Sequence, residues 1–78
     1  MDVLIGIRIA DESELSRISG ALAGIDGVSS ALELSGNLDI LLRASSGSLA
    51  GMRGIIEKVK STSGVREAKT YLIIGERR

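Results

Sequence analysis

The chain has 78 residues, of which 44% are hydrophobic and 26% charged, with 10 basic side chains balanced by 10 acidic ones. A chain this short forms one domain, which we take as residues 1–78. It contains no cysteine, histidine, tryptophan, phenylalanine or proline, and Tyr71 is its only aromatic residue. These absences exclude a thiolate nucleophile, an imidazole base, a disulfide framework and an ordinary zinc site. We therefore expect no catalytic residues, no metal and no cofactor.

The net charge of zero and the isoelectric point near 6.2 give the chain no overall attraction to nucleic acids or anionic lipids. Its basic residues are interleaved with acidic ones, which is typical of a solvated surface. No signal-peptide pattern begins at Met1, and no apolar run approaches the ~20 residues of a membrane span. We expect a cytoplasmic protein with no direct nucleic-acid or membrane contacts.

The first half of the chain predicts a strand, a helix and a second strand. Residues 2–9 form a β-branched run that favours a buried strand. Asp11 and its acidic neighbours predict a helix start, and apolar residues then recur at helical spacing until the chain turns at residues 26–27. Residues 28–34 alternate between apolar and polar side chains, which predicts a half-buried strand.

The second half predicts a strand, a helix and a last strand. Residues 35–37 supply turn chemistry, so residues 38–43 are predicted to return as the partner strand of a hairpin. The serine-rich segment 45–48 predicts the cap of a second helix with lysines near its end. Residues 65–74 predict the last strand, followed by a short tail.

An internal repeat joins these two halves. An offset of 37 residues (65 − 28) carries Val28 onto Val65. The same offset carries Asp2 onto Asp39, and no gap is needed. Two interleaved βαβ halves predict a ferredoxin-like α+β fold, βαββαβ, with a four-stranded antiparallel sheet and both helices on one face. Chance similarity among apolar residues in a short chain is the competing interpretation.

The sheet face away from the helices is predicted to be partly apolar. We expect Leu38 to face the helices, whereas the phase of the last strand stays open because residues 67–70 can accommodate a bulge. An uncovered apolar face is most easily buried against a second copy, so we expect a homodimer. The predicted apolar residues of the far face are Leu4, Ala31 and Leu41, and one of the two phases of the last strand adds Leu72 and Ile74.

Glycines inside the predicted helices have two interpretations. Each costs up to ~1 kcal/mol relative to alanine in a helix interior. They permit close approach of a helix to the sheet or to another subunit, or they reflect a glycine-rich composition. The glycines concerned are Gly20, Gly24, Gly51 and Gly54.

The segment from Leu34 to Asp39 is the most specific candidate site. Gly36 exposes backbone N–H groups that can receive a carboxylate, and Asp39 is an anion placed to receive an ammonium group. Together they suit the zwitterion of an amino acid. An ordinary hairpin turn followed by a surface aspartate is the competing interpretation, because turn glycines are common.

Several of these segments resemble the effector-binding (RAM) domain of the Lrp/AsnC feast/famine transcription regulators. They are the Gly-Val pairs at residues 27–28 and 64–65, the Gly36-x-x-Asp39 segment entering an Ile-Leu-Leu strand, and the last strand from Tyr71 to Ile74. The resemblance covers essentially the whole chain. It implies a ferredoxin-like fold, dimers with their sheets face to face, rings of dimers, and an amino-acid effector bound between dimers.

The resemblance also implies which residues bind the effector. The family's glycine and aspartate fall on Gly36 and Asp39, and Leu38 occupies a position that is usually aromatic in the family. Two family threonines in the last strand fall on Ala68 and Thr70. The predicted ligand-binding residues are therefore Ser35, Gly36, Asn37, Leu38, Asp39, Ala68 and Thr70.

Ordinary members of the family carry an N-terminal helix-turn-helix domain, whereas this chain begins with the first strand. It resembles the stand-alone form of the module, so we expect no DNA-binding domain and propose a full-length DNA-binding paralogue as a further partner. One alternative is a structural partner of such a regulator that senses nothing. Another is an ACT-like regulatory module of amino-acid metabolism, whose sheets would lie side by side.

Other functions of the fold need residues that the chain lacks. RNA recognition uses aromatic residues on the central strands. Metal chaperones need a Cys-x-x-Cys motif, and acylphosphatase-like enzymes need an arginine-bearing phosphate loop where this chain has Ala10-Asp11-Glu12. In a dimeric-barrel oxygenase the general base would have to be a carboxylate. We therefore do not predict an enzyme.

Overall fold

The computed structural model describes all 78 residues. They fold into one sheet of four strands and two helices. The strands lie in the order β2-β3-β1-β4, and each neighbouring pair is antiparallel. The predicted ferredoxin-like βαββαβ fold is confirmed. The elements are β1 (Asp2–Ile9), α1 (Leu15–Ala23), β2 (Val28–Glu33), β3 (Ile40–Ser45), α2 (Leu49–Lys60) and β4 (Val65–Leu72).

Both helices pack on the same face of the sheet. The two-residue period of a strand sends alternate residues of β1 to that face, and Ile5 and Ile7 are completely buried there. Side chains of α1 and α2 share a single core with these residues and with alternate residues of β3. The buried core consists of Val3, Ile5, Ile7, Ile9, Ile18, Leu22, Ile40, Leu42, Ala44, Met52, Ile55 and Val59.

Side-chain caps determine where the helical segments begin. The hydroxyl of Ser48 accepts a hydrogen bond from the N–H of Gly51 at 3.0 Å, which starts α2 where the sequence predicts it. The carboxylate of Asp11 accepts one from the N–H of Ser13, also at 3.0 Å. This second cap begins a short 3-10 helix, Glu12–Glu14, which leads directly into α1.

Two glycines occupy equivalent places in the two halves, just before β2 and β4. Gly27 has a φ of +96° and Gly64 a φ of +95°, a backbone conformation that other residues rarely adopt. A β-carbon on Gly27 would meet the side chain of Ile55, and one on Gly64 would meet that of Ile18. Each turn is therefore packed beneath the helix of the other half, and the two contacts are related by the predicted 37-residue offset.

A single extra residue interrupts each strand that follows these glycines. Ser29 is extra in β2 opposite β3, and Arg66 is extra in β4 opposite β1. The bulge that the sequence allows within residues 67–70 thus lies just before them. The 37-residue repeat does contain a gap. β4 begins opposite Ile9 of β1 and β2 begins opposite Ala44 of β3, so these equivalent positions of β1 and β3 are 35 residues apart (44 − 9) rather than 37. A shift of two residues keeps every side chain on its own face.

The sheet face without helices carries a partly apolar surface, which we call the open face. Residues paired across two strands point to the same side, so Leu4 lies beside Tyr71 and Leu41 beside Leu32. Leu32 and Tyr71 remain 54% and 52% exposed. Leu4 and Leu41 lie where the sequence predicts them, whereas Ile74 lies beyond the end of β4.

Ala31 and Leu38 lie on the other side of the sheet from the one predicted, and the pairing of β4 settles the side of Leu72, which the sequence left open. Ala31 and Leu72 pair with residues of the buried face, so both lie on the side that the helices cover. Leu38 lies over Gly6 on the open face, with its Cδ1 2.9 Å from the place a β-carbon of Gly6 would take. The regular alternation does not reach Leu38 because β3 begins only at Ile40.

Replacing Gly27 by alanine is expected to lower the free energy of unfolding by about 1–3 kcal/mol. The substitution strains the positive φ and brings a β-carbon against Ile55 and to 3.1 Å from the carbonyl oxygen of Ser45. Gly64→Ala is expected to have a similar effect because Gly64 has the same positive φ and its β-carbon would meet Ile18. Chemical denaturation at one fixed protein concentration measures both effects.

Gly20→Ala in α1 and Gly54→Ala in α2 are the matched controls. A β-carbon at either position would meet nothing within 4 Å, so neither glycine is required by packing inside the chain. Each substitution is expected to raise the free energy of unfolding by up to ~1 kcal/mol, because alanine is the better helix former. Equal losses for all four variants would contradict the special role of the two turns.

Candidate functional site

Main-chain hydrogen bonds hold the connection between β2 and β3 against β1. The N–H of Leu34 donates to the carbonyl oxygen of Asp39 at 2.8 Å. The N–H of Asp39 in turn donates to the carbonyl oxygen of Ile7 at 2.9 Å. Between these anchors Gly36 has a φ of +144°. The N–H groups of residues 35–38 donate no hydrogen bond within the chain, so they are available to an external acceptor.

The side chain of Asp39 ties this connection to the end of β1. Its Oδ2 accepts a hydrogen bond from the N–H of Ile9 at 2.8 Å in a partly buried position. The carboxylate takes the place of a main-chain acceptor where β1 leaves its ladder with β3. Oδ1 accepts no hydrogen bond within the chain, which leaves it free for a ligand.

A cleft of about 300 Å³ lies beside Asp39, where the end of β1, the helical segment that follows it and the β2–β3 connection meet. Its walls combine apolar side chains with two carboxylates and an exposed stretch of backbone, a mixture typical of small-molecule sites. Its volume is at the lower end for such sites, which favours a ligand the size of an amino acid. The lining residues are Ile9, Glu12, Leu15, Leu34, Ser35, Gly36 and Asp39.

The cap at Asp11 orients Glu12 on one side of the cleft. The hydrogen bonds from the hydroxyl and the N–H of Ser13 lower the pKa of Asp11 from its ordinary value of 3.8. A carboxyl group with a lowered pKa stabilises the folded state at neutral pH, and this contribution is lost as the pH falls through the lowered value. The 3-10 turn that carries Glu12 therefore keeps its cap throughout the neutral range.

Three of the seven predicted ligand-binding residues, Ser35, Gly36 and Asp39, line this cleft. Asn37 follows them in the exposed turn but does not line the cleft. Leu38 is also outside it, because its side chain covers Gly6 on the open face.

The other two predicted residues, Ala68 and Thr70, lie on β4, which is separated from β3 by β1. They pair with Ile7 and Ile5, so they belong to the helix-covered side of the sheet. Ala68 packs against the core, whereas Thr70 is exposed. Neither residue lines the cleft of its own chain.

Three residues that line the cleft, Ile9, Glu12 and Leu15, were not predicted from the sequence, whereas Leu34 begins the predicted candidate segment. Glu12 was assigned only to the start of a helix. A signal for its position was available, because the βαββαβ order makes β1 and β3 neighbours and thereby brings the segment after β1 close to the segment before β3.

Asp39→Ala is expected to lower the free energy of unfolding by about 1–3 kcal/mol, because the partly buried N–H of Ile9 loses its acceptor. Asp39→Asn keeps an oxygen at that position and is expected to stay much closer to the parent. Denaturation curves of the two variants test this difference, and amide exchange at Ile9 reports on the bond itself. Equal stability of both variants would remove the structural role of the carboxylate.

Solved structures of known proteins share the fold. AsnC of Escherichia coli superposes with a TM-score of 0.86 and 17% identity, covering 96% of this chain and 51% of that one. A protein of Thermus thermophilus has a TM-score of 0.86 and 15% identity, covering 99% and 96%. A transcriptional regulator of Neisseria meningitidis in complex with L-methionine has a TM-score of 0.84 and 19% identity, covering 99% and 51%.

Relatives by sequence point to a module that occurs within longer proteins. Homocitrate synthase of Saccharolobus islandicus is 28% identical over 74 residues, which cover 95% of this chain and 16% of that enzyme. The chain thus spans about a sixth of this relative and 51% of AsnC. None of its helices is long and apolar enough to cross a lipid bilayer. The family model described as the Lrp/AsnC ligand binding domain matches residues 2–77, which confirms the resemblance read from the sequence: the chain belongs to the Lrp/AsnC ligand-binding domain family.

Proposed function

We propose that this chain is an effector-binding module that holds an amino acid in the cleft beside Asp39 and changes its assembly when the ligand binds. The observation that carries the proposal is the pairing of a free carboxylate oxygen on Asp39 with unbonded backbone N–H groups around Gly36 in one cleft. A ligand with an ammonium group and a carboxylate satisfies both. L-methionine bound to the Neisseria meningitidis relative supports an amino acid as the ligand class.

In this proposal each part of the ligand has its own partner. The α-ammonium group donates to Oδ1 of Asp39, and the α-carboxylate accepts from N–H groups of the turn at Gly36. The side chain then extends over the apolar wall formed by Leu34, Leu15 and Ile9. Burial of that side chain adds affinity in proportion to its apolar area.

A second part of the proposal is that other copies of the chain complete the site. Glu12, Ser35 and Gly36 are exposed, so one chain leaves a bound ligand open to water on one side. If a neighbouring dimer closes that side, ligand binding favours the assembly in which the site is complete. The shift in the assembly equilibrium is limited by the difference in the ligand's affinity for the open and the closed assembly.

The open face supports a dimer in which two sheets pack face to face. It presents Leu4, Leu32, Leu41 and Tyr71 with no helix to cover them. A domain of this size is only marginally stable alone, so burying this face contributes to folding as well as to association.

The proposal includes no catalytic step. Carboxyl groups that act as general acids or bases at neutral pH are typically buried and held within hydrogen-bond reach of the substrate. Glu12 is exposed, and Oδ2 of Asp39 is already engaged by the N–H of Ile9. Both carboxylates are therefore better suited to binding a cation than to transferring a proton.

Titration of the purified chain with a panel of L-amino acids is expected to show saturable binding together with a change in mass in solution. Calorimetry measures the first and light scattering the second. Asp39→Asn is expected to lose at least tenfold in affinity, or about 1.4 kcal/mol, because the charge is lost while the fold is kept. Absence of binding by every amino acid would refute the proposal and favour a structural partner that senses nothing.

Leu32→Lys and Tyr71→Lys, made separately, are expected to shift the chain toward monomer at micromolar concentration. Each places a charge on the open face at a position that is half exposed in the single chain, so the fold is kept. Leu49→Lys is the matched control, because Leu49 lies on α2 and is 58% exposed. If all three variants keep the parent mass, the face-to-face dimer is wrong.

The similarity to homocitrate synthase favours a second candidate function, in which the same module regulates an enzyme of amino-acid metabolism. The first candidate acts instead on transcription through a full-length DNA-binding paralogue. Mixing the purified chain and its ligand with such a regulator from the same organism distinguishes the two. A change in that regulator's assembly or DNA affinity supports transcriptional regulation, and no change favours the enzyme.

A further inference from the structure

The cleft has an unbalanced charge. Two carboxylates, Glu12 and Asp39, line it, and no lysine or arginine does. Arg8 precedes Ile9 but lies beside Glu67 on the open face of the sheet. Arg17, which follows Leu15, donates to Oε2 of Glu14 and to the carbonyl oxygen of Ser63, both at 3.3 Å. This places its guanidinium group against the loop before β4. The cleft therefore carries two negative charges without a cation of its own.

A neutral amino acid does not compensate this charge. Its α-ammonium group pairs with Asp39, but its α-carboxylate adds a further negative charge to the cleft that also holds Glu12. Like charges close together in a partly desolvated site oppose binding. A ligand with a second positive charge removes this penalty and gives Glu12 a partner.

We infer that the effector is an amino acid with a cationic side chain, such as a diamino acid, and that Glu12 selects it. The inference rests on the proposed function of the cleft. Asp39 and Gly36 lie on the same connection, so they hold the two groups on the α-carbon. Glu12 and Leu15 come from the helical segment on the other side. A long methylene chain lies along the apolar wall and presents its charged end to Glu12.

The size of the effect follows from the exposure of Glu12. An exposed ion pair contributes little, and closure of the cleft by another copy strengthens it. We expect L-lysine to bind about fivefold more tightly than L-norleucine, which has the same carbon chain without the terminal ammonium. Salt screens exposed pairs, so the ratio is expected to fall as the ionic strength rises from about 0.05 to 0.5 M.

Calorimetry with the full chain tests the inference with these two ligands, each titrated into the parent, Glu12→Gln and Glu57→Gln. Glu12→Gln is expected to bring the lysine-to-norleucine affinity ratio close to one while leaving norleucine affinity nearly unchanged or slightly higher. Glu57 lies exposed on α2 outside the cleft, so Glu57→Gln is the charge-matched control and should keep the parent ratio.

The outcomes separate this inference from the function on which it rests. If norleucine binds the parent as tightly as lysine, the cationic preference is wrong. If Glu12→Gln keeps a parent ratio that favours lysine, Glu12 does not select the ligand. Amino-acid binding stands in both cases. If neither cationic nor neutral amino acids bind, the proposed function is wrong and this inference is wrong as well.

Discussion

Two short helices can cover only one face of a four-stranded sheet, and this constraint shapes the rest of the molecule. The alternate isoleucines of β1 are buried on the covered face, whereas Leu4 and Leu41 remain on the open face. These 78 residues contain no further element to place over them. The surface is therefore divided between an apolar face suited to self-association and a polar cleft at the end of the sheet suited to a small ligand.

The two halves of the chain support each other through reciprocal contacts. The turn at Gly27 packs under Ile55, and the turn at Gly64 packs under Ile18. Each helix is thereby located by a turn of the other half, so neither βαβ unit completes its packing alone. The equivalence of the two halves ends near the cleft. There β1 and β3 are related by 35 residues rather than 37, and the carboxylate of Asp39 accepts a hydrogen bond from the N–H of Ile9. The candidate site lies where the internal symmetry is lost.

Asp39 links the fold to the proposed function. One carboxylate oxygen completes the hydrogen bonding of β1, and the other faces no partner within the chain. The first bond orients the second oxygen, so the group that would bind a ligand is preorganised by the same interaction that closes the sheet. Asparagine and alanine at this position therefore separate the two roles, because asparagine keeps the structural acceptor and alanine removes it.

The order of elements, the caps of both helical segments and the inward face of β1 were predictable from the sequence, because they depend on local spacing and local hydrogen bonds. Ser35, Gly36 and Asp39 were predictable as a group because they lie within five consecutive residues. The tertiary structure alone decided that Glu12 joins them and that Leu38 turns away. Glu12 reaches the cleft only through the pairing of β1 with β3, and Leu38 leaves the predicted face because the regular strand begins after Asp39. Local sequence patterns repeat with the period of a strand or helix, so they show which face of an element is buried. Contacts between distant segments depend on the register in which the strands pair. Periodicity does not specify that register beyond the choice of face.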